Sequence, residues 1–413
     1  MRFWASGFWQ PAAGICGDHG ALRAALVFAG LAAAFPAAAL FGDRVEIWAA
    51  ENVTHDTNIL RLSKTLSNTS VGVTQRGDTV YTTHVGINGT LRQGRQVLTA
   101  EYSWFRSKYR YFKDLDFSGH TARAHWAWVI EQDFSGTLGY LENEGLSSFN
   151  NIQKRAPDLV MARNFYWTGN WMMTPRYRAT GAASATETRH TDPQRKVNNI
   201  DIDSFELGLA YVTPLDNSAG AFVRAEHGET PNPAEAGALA AANEYQQYGA
   251  GATVTWLPAG HSQLTGRAEW VRRDYEHAPQ RDYRGPILKA LYTWTPTPKF
   301  TLLASLSRDV GPADDIQTSF VLVTGGFIRP RWNVTEKISL LGNAEYNVWD
   351  YRGDPVLGGE FRHRVRTFGG RVDYRPTTKI LLSAGVNREV RTSDLPTGDY
   401  EVTVGFVEGR IGF

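Results

Sequence analysis

Lys337-Ile338-Ser339-Leu340-Leu341-Gly342-Asn343-Ala344-Glu345-Tyr346-Asn347-Val348-Trp349 changes character at every residue. Ile338, Leu340, Gly342, Ala344, Tyr346 and Val348 fall on one face of an extended chain, and Ser339, Leu341, Asn343, Glu345 and Asn347 on the other. A period of two marks a strand whose faces meet different surroundings. The same design recurs from Lys379 to Val390, where Ile380, Leu382, Ala384 and Val386 oppose Ser383, Asn387 and Glu389. Further upstream, Ala122, Ala124, Trp126, Trp128 and Ile130 oppose Arg123, His125 and Glu131, and Tyr248, Ala250, Ala252, Val254 and Trp256 oppose Gly249, Gly251, Thr253 and Thr255. No segment after residue 40 sustains apolar spacing of 3.6 residues. The one helix-like composition, Pro233 to Asn243, is Ala-rich and reads as a loop.

These strands run about ten residues between aromatic ends, the length a tilted strand needs to cross a bilayer. Trp294, Trp332, Tyr374, Trp256 and Tyr211 stand at strand ends, where an amphipathic ring is most stable at headgroup level. The connections are of two kinds. Thr213–Asn217, Leu257–Gly260, Thr295–Pro298, Asn333–Glu336 and Arg375–Thr378 are short and rich in Pro, Thr, Asn and Gly, whereas Glu187–Ile200, Gly228–Asn243 and Leu146–Pro157 are longer and polar. Lys299-Phe300-Thr301-Leu302-Leu303-Ala304, Lys337-Ile338-Ser339-Leu340-Leu341-Gly342 and Lys379-Ile380-Leu381-Leu382-Ser383-Ala384 are echoes of one unit, 38 and then 42 residues apart. That period fits one hairpin of two strands, a turn and a loop. The fold class is therefore all-β, a transmembrane up-and-down antiparallel β-barrel of about eighteen strands, or alternatively about sixteen. Asp56 to Asp78 reads either as one long loop or as a loop plus a strand. Either size leaves a water-filled lumen.

Because hydrocarbon offers no partner to a backbone N–H or C=O, such a sheet must close on itself. The last residues, Val407 to Phe413, alternate and end in an aromatic, with Val407, Ile411 and Phe413 on the lipid face. Ile411 and Phe413 therefore resemble the C-terminal signal read by the outer-membrane insertion machinery.

The N-terminus reads as an export signal. Arg2 and Arg23 precede an apolar run from Ala24 to Phe35, and Pro36-Ala37-Ala38-Ala39 supplies small residues for cleavage, so residues 1–39 are assigned as a cleaved signal peptide and residues 40–413 as the barrel. Cleavage removes Cys16, the single cysteine, and leaves 41 basic and 41 acidic side chains. A chain without thiols has neither disulfides nor thiolate metal sites. Its balanced charge argues against nucleic acid as a partner. The mean hydropathy of −0.35 is too polar for a helical membrane protein but compatible with alternating strands.

The ten histidines show no H-x-x-x-H or H-E-x-x-H spacing, so no helical zinc site is expected, and no metal, cofactor or catalytic residue is assigned. His84 and His125 fall on strands and read as lumen-facing polar residues. Gly325-Gly326 and Gly369-Gly370 lie inside strands and mark close packing rather than phosphate loops. The functional information sits on the inward faces. Alternation points Glu101, Arg123, Glu206, Arg267, Glu269, Arg273, Lys289, Glu345, Arg371 and Asp373 into the lumen, where mixed charges orient polar solutes and set selectivity. Trp349 is an inward aromatic able to stack on a sugar ring.

His55-Asp56-Thr57-Asn58-Ile59-Leu60-Arg61-Leu62 resembles the D-x-N-x-x-R-L segment of the EpsL-type family, porin-like outer-membrane barrels associated with exopolysaccharide biosynthesis. Phe149–Arg155, Asn243–Tyr248 and Arg272–Tyr275 extend the resemblance, which runs through most of residues 45–413. It implies an outer-membrane channel or accessory protein in polysaccharide export, with Asp56, Asn58 and Arg61 as the positions carried over, and it supplies no catalytic residue. The expected partners are outer-membrane lipid, the insertion machinery and a polysaccharide or other polar solute. The alternatives are a general porin for small polar solutes, a barrel enzyme acting on lipid or polysaccharide, and a structural barrel without an open lumen.

Overall fold

The computed structural model describes residues 45–69, 72–150, 155, 157–231, 244–311, 320–352 and 360–413. The export signal assigned to residues 1–39, the loop at 233–243 and residues 151–154 of the family resemblance lie outside them. Eighteen strands follow one another along the chain: β1 (Val45–Asp56), β2 (Asp78–Gln93), β3 (Gln96–Tyr109), β4 (Phe117–Ile130), β5 (Phe134–Leu146), β6 (Leu159–Thr174), β7 (Tyr177–His190), β8 (Ile200–Val212) and β9 (Ser218–Glu229) form the first half. β10 (Tyr245–Ala259), β11 (Ser262–Tyr275), β12 (Tyr283–Thr297), β13 (Phe300–Gly311), β14 (Phe320–Asn333), β15 (Ile338–Arg352), β16 (Phe361–Tyr374), β17 (Ile380–Ser393) and β18 (Tyr400–Gly412) form the second.

Each strand pairs antiparallel with its sequence neighbours, and β1 pairs with both β2 and β18, so one eighteen-stranded sheet closes into a barrel. The seam is secured by nine register pairs from Trp48↔Gly412 to Asp56↔Val404, and the Phe413 amide donates to the Ile47 carbonyl at 2.8 Å. Closure leaves no sheet edge in the hydrocarbon, where each unpaired backbone group costs several kcal/mol. The stretch between Asp56 and Asp78 is a single loop, with no extra strand among the described residues.

Register follows from the two-faced sequence, because a slip of one residue exchanges the faces of a whole strand. Ile338 to Val348 pairs with Tyr374 to Arg364 without a bulge. The outer face carries exposed apolar side chains such as Leu306, Val223, Leu207 and Ile328. Trp256, Trp294, Trp332, Tyr374 and Tyr211 ring it at the short-turn rim, and Tyr248, Trp270, Tyr346 and Phe368 ring it higher up. The glycine pairs lie inside β14 and β16, and a Cβ on Gly325 would stand 2.0 Å from Asn347 Oδ1.

Buried clusters sit where long loops fold onto the lumen face. The loop after β1 places Ile59, Leu60 and Leu62 against Val80, Phe112, Leu115 and Phe149. On the other side of the mouth, Ala278 of the β11–β12 loop joins Tyr245, Val271, Tyr275 and Tyr283. The long-loop rim is thus a built mouth, while the short-turn rim is plain.

Candidate functional site

Cross-strand pairs share a face, so the register alone fixes which side chains enter the lumen. All ten residues expected to point inward do so, and they fall into four groups. The largest lines β8 to β12. Arg267 clamps Glu206 through two nitrogens at 3.0 and 2.6 Å and reaches Glu269 at 3.1 Å. Arg224 links Glu269 at 3.1 Å to Glu226 at 3.5 Å, and Arg273 joins Glu226 at 3.1 Å and Gln247 at 2.8 Å. The guanidinium of Arg267 lies 3.6 Å over the Phe222 ring, and that of Arg273 lies 4.0 Å over Tyr245. These stacked rings orient each fork and shield one of its faces.

Glu206, Arg224, Arg267, Glu269 and Lys289 line a recess of about 350 Å³ that Tyr166 borders from β6. Lys289 forms an ion pair with Asp309. Tyr166 hydrogen-bonds His125 at 3.0 Å, and its ring lies flat over Gly139, where a Cβ would stand 2.2 Å from Tyr166 Cζ. Glycine at that position is what lets the tyrosine lie against the wall.

The other three groups are smaller. Arg329 meets Glu345 at 3.1 Å and Asn343 at 2.9 Å. Arg371 meets Asp373 at 2.7 Å, and Ser383 donates to the same carboxylate at 2.7 Å. Glu101 and Arg123 face each other in register across β3 and β4. His84 is lumen-facing beside Phe105, with ring centroids 5.3 Å apart. Trp349 packs against the cluster of Val321, Tyr351 and Phe361 near the mouth, its indole Nε1 buried and without a hydrogen-bond partner among the described residues. Arg224, Glu226, Gln247, Asp309 and Arg329 are further partners of these charges that were not among the expected inward residues. The alternation of Phe222, Arg224 and Glu226 against Val223 and Ala225 was the available signal for β9.

The residues singled out by the family resemblance build the mouth. Asp56 accepts the Asn58 amide at 2.7 Å and the Arg61 guanidinium at 2.7 Å. Asn58 closes a ring with Leu62, accepting its amide and donating to its carbonyl, both at 2.9 Å, and donates to the Glu401 carbonyl at 3.2 Å. Arg61 adopts φ 55°, which turns the chain back at this point. Arg76 then donates to the carbonyls of Leu62 and Ser63 at 3.3 and 2.9 Å. The loop is thereby stitched across β18 as well as β1, and Thr57 and Thr403 exchange two further hydrogen bonds at 3.1 and 2.9 Å.

Two more buried carboxylates organise neighbouring loops. Asp78 accepts the amides of Tyr111 and Phe112 at 3.0 and 2.8 Å. Asp158 accepts from His190 Nδ1 at 2.8 Å, from the amides of Thr191 and Asp192 at 3.0 and 2.9 Å, and pairs with Arg195 at 3.0 Å. Burial raises the pKa of Asp158, but the His190 hydrogen bond, the Asp192 amide and the charges of His190 and Arg195 override it and hold the carboxyl down at about 2. Glu244, Glu276 and His277 bring ligand-type atoms within 4.8 Å of one another at the mouth, two of the three residues being exposed.

A search of curated protein sequences gives no match. Among solved structures, the chain is similar to the outer membrane protein opdK from Pseudomonas aeruginosa, at 8% identity and a TM-score of 0.47, with 89% of this chain and 99% of that one covered. It is likewise similar to OccAB3 of Acinetobacter baumannii, at 11% identity and a TM-score of 0.47, covering 90% of this chain and 100% of that one. A BenF-like porin from Pseudomonas fluorescens Pf-5 stands at 9% identity and a TM-score of 0.47, with 90% and 99% covered. Residues 247–413, from within β10 to the end of β18, match the family model described as "Putative beta-barrel porin 2". A closed eighteen-stranded antiparallel wall, an apolar outer band and a charged lumen make this chain a β-barrel of the outer-membrane type.

Proposed function

We propose that the barrel is a channel through which small polar solutes cross the outer membrane. The observation that carries this reading is the ionised chain Glu206–Arg267–Glu269–Arg224–Glu226–Arg273 on the lumen wall. Six charges on an inner wall would be costly in a packed core; here Glu206, Arg267, Arg224 and Glu226 keep partial contact with an aqueous lumen of this strand number, and Glu269 and Arg273 are buried among their ion-pair partners. Fixed charges of both signs impose a field on a passing solute, so dipolar and charged solutes are oriented and sorted. The porin description of the family model that matches residues 247–413 supports the same reading. Outer-membrane lipid is the surrounding solvent. Ile411 and Phe413 close the wall on its outer face, a position suited to the insertion signal assigned to them.

Export of exopolysaccharide is the weaker reading. It rests on the D-x-N-x-x-R-L resemblance, and the three side chains of that segment are consumed in holding the first loop. That loop lies on the lumen wall at the mouth, where a passing polymer would need width. No catalytic role is proposed: His125, a histidine on the lumen wall, is hydrogen-bonded to Tyr166 at 3.0 Å.

The test is planar-bilayer conductance of the refolded mature chain. Discrete openings with ion selectivity set by Arg267 and Glu206 are expected. Current blocked by polysaccharide fragments but not by small charged solutes would favour polymer export instead. Absence of conductance from correctly folded protein would remove the channel reading.

A further inference from the structure

The outer face of β16 reads, from the long-loop rim downward, Arg362, Arg364, Arg366, Phe368, Gly370, Val372 and Tyr374. Phe368, Val372 and Tyr374 are 58%, 45% and 41% exposed, as side chains facing lipid are in the isolated barrel. Three arginines therefore stand in line directly above the lipid-facing band, spaced about 7 Å apart along the strand. Arg388 of β17 is the register partner of Phe368 and adds a fourth guanidinium at the same height. Tyr346 of β15 pairs with Arg366, its ring 6.0 Å from the guanidinium.

Three of the four have a carboxylate partner near the surface, and Arg366 has none among the described residues. Arg362 pairs with Asp350, Arg364 with Asp394 at 3.3 Å and Arg388 with Glu401 at 3.1 Å, and the guanidinium side chains of Arg362 and Arg388 remain 46% and 59% exposed. Arg366 makes no ion pair or hydrogen bond among the described residues. Exposed ion pairs of this kind contribute little, so they yield readily to a stronger anion. A planar guanidinium binds a phosphate through two parallel hydrogen bonds, which makes phosphate the anion best matched to the stripe. The sign of the charge varies around the wall, and Arg272 and Arg284 beside Asp274 on β11 and β12 form a second basic patch. At the same height on β5 to β8 the outer face carries Glu142, Glu144, Glu187, Asp201 and Asp203 against Arg163 and Arg189, a surface that repels phosphate.

We propose that Arg362, Arg364, Arg366 and Arg388 dock the phosphorylated headgroup of an outer-leaflet glycolipid, whose acyl chains lie on Phe368 and Val372. The proposal rests on the membrane-spanning reading and deepens it by naming a lipid class and a sector of the wall. An amphiphile fits where free phosphate does not, because cationic and apolar contacts are stacked along one strand.

The full mature chain, refolded in zwitterionic micelles, is examined by native mass spectrometry with bis-phosphorylated lipid A, with its dephosphorylated form and with inorganic phosphate. Retention of the phosphorylated lipid and weakening by about tenfold or more in the double variant Arg366→Gln/Arg388→Gln are expected, since each lost charge-assisted contact is worth about that much. Arg366→Lys, which keeps the charge and loses the fork, should fall in between, and Arg163→Gln on the acidic sector should bind as the parent does. Equal binding of the two lipid forms, equal binding by parent and double variant, or full competition by inorganic phosphate would overturn the proposal. Heat-modifiable gel mobility is recorded for each protein. Loss of that behaviour in the parent would sink the barrel itself, whereas loss of phosphate discrimination alone sinks only the docking site.

Discussion

Replacing Arg267 by Gln removes the cation that clamps Glu206 and covers Glu269. The shape of the wall should survive, because glutamine still reaches Glu206 and the Phe222 ring remains in place. The lumen gains one unit of negative charge at the recess. For a monovalent ion passing about 7 Å away through water, one unit charge is worth about 0.6 kcal/mol. That is close to RT and changes the local cation concentration by roughly threefold. Screening decides where the change is visible: the Debye length is about 10 Å at 0.1 M salt and about 3 Å at 1 M. The assay is the reversal potential across a planar bilayer under a potassium chloride gradient. Cation preference should rise about two- to threefold in Arg267→Gln near 0.1 M, shrink toward the parent value at 1 M, and reverse in sign for Glu206→Gln. Glu269 has a side chain only 1% exposed, so its neutralisation acts mainly by releasing Arg224 and Arg267. If folded Arg267→Gln channels keep the parent reversal potential at low salt, the β8–β12 wall does not line the conduction path and the reasoning fails.

Further expectations concern the mouth and the seam. Asn58→Ala removes three hydrogen bonds that tie the first loop to Leu62 and Glu401, at a cost of about 2–3 kcal/mol to local closure. Protease cleavage should therefore appear between residues 57 and 77 while heat-modifiable mobility persists. Arg61→Ala strands the buried Asp56 carboxylate and should loosen the same loop by about 3 kcal/mol, read as faster amide exchange at Ile59 and Leu62. For Asp158 the folded carboxyl titrates at about 2, below its ordinary 3.8. Its stabilising effect is therefore complete above about pH 4 and drains away as pH falls toward 2, a loss of about 2 kcal/mol. The loops around His190 should open to proteolysis across that window in the parent, and already near neutrality in Asp158→Asn. Deleting Phe413 removes the amide bonded to the Ile47 carbonyl and the terminal aromatic at the seam, so the yield of folded barrel in outer membranes should fall severalfold while refolding in micelles is affected less.

The period-two pattern carried most of the fold. Lys337 to Trp349 shows both its faces in thirteen residues because lipid and water demand opposite chemistry at alternate positions, and this is local information. The same locality put Glu101, Arg123, Glu345 and the rest of the inward set on the correct face. Strand number was legible too, apart from the stretch between Asp56 and Asp78, where polar and apolar residues serve a folded loop rather than a strand.

Which inward charges meet was not legible. Arg267 and Glu206 are 61 residues apart, and Arg224 and Glu269 are 45 apart, so their contact depends on the register of β8 through β11. Asp56, Asn58 and Arg61 stood out in the sequence, but the partner across the seam, the carbonyl of Glu401, lies 343 residues from Asn58. Alternation is written into each strand because every second side chain answers to the same solvent. Pairing across a closed wall is fixed only when the eighteen strands settle into one register, since the distances that join two charges are set by the curvature and stagger of the whole cylinder.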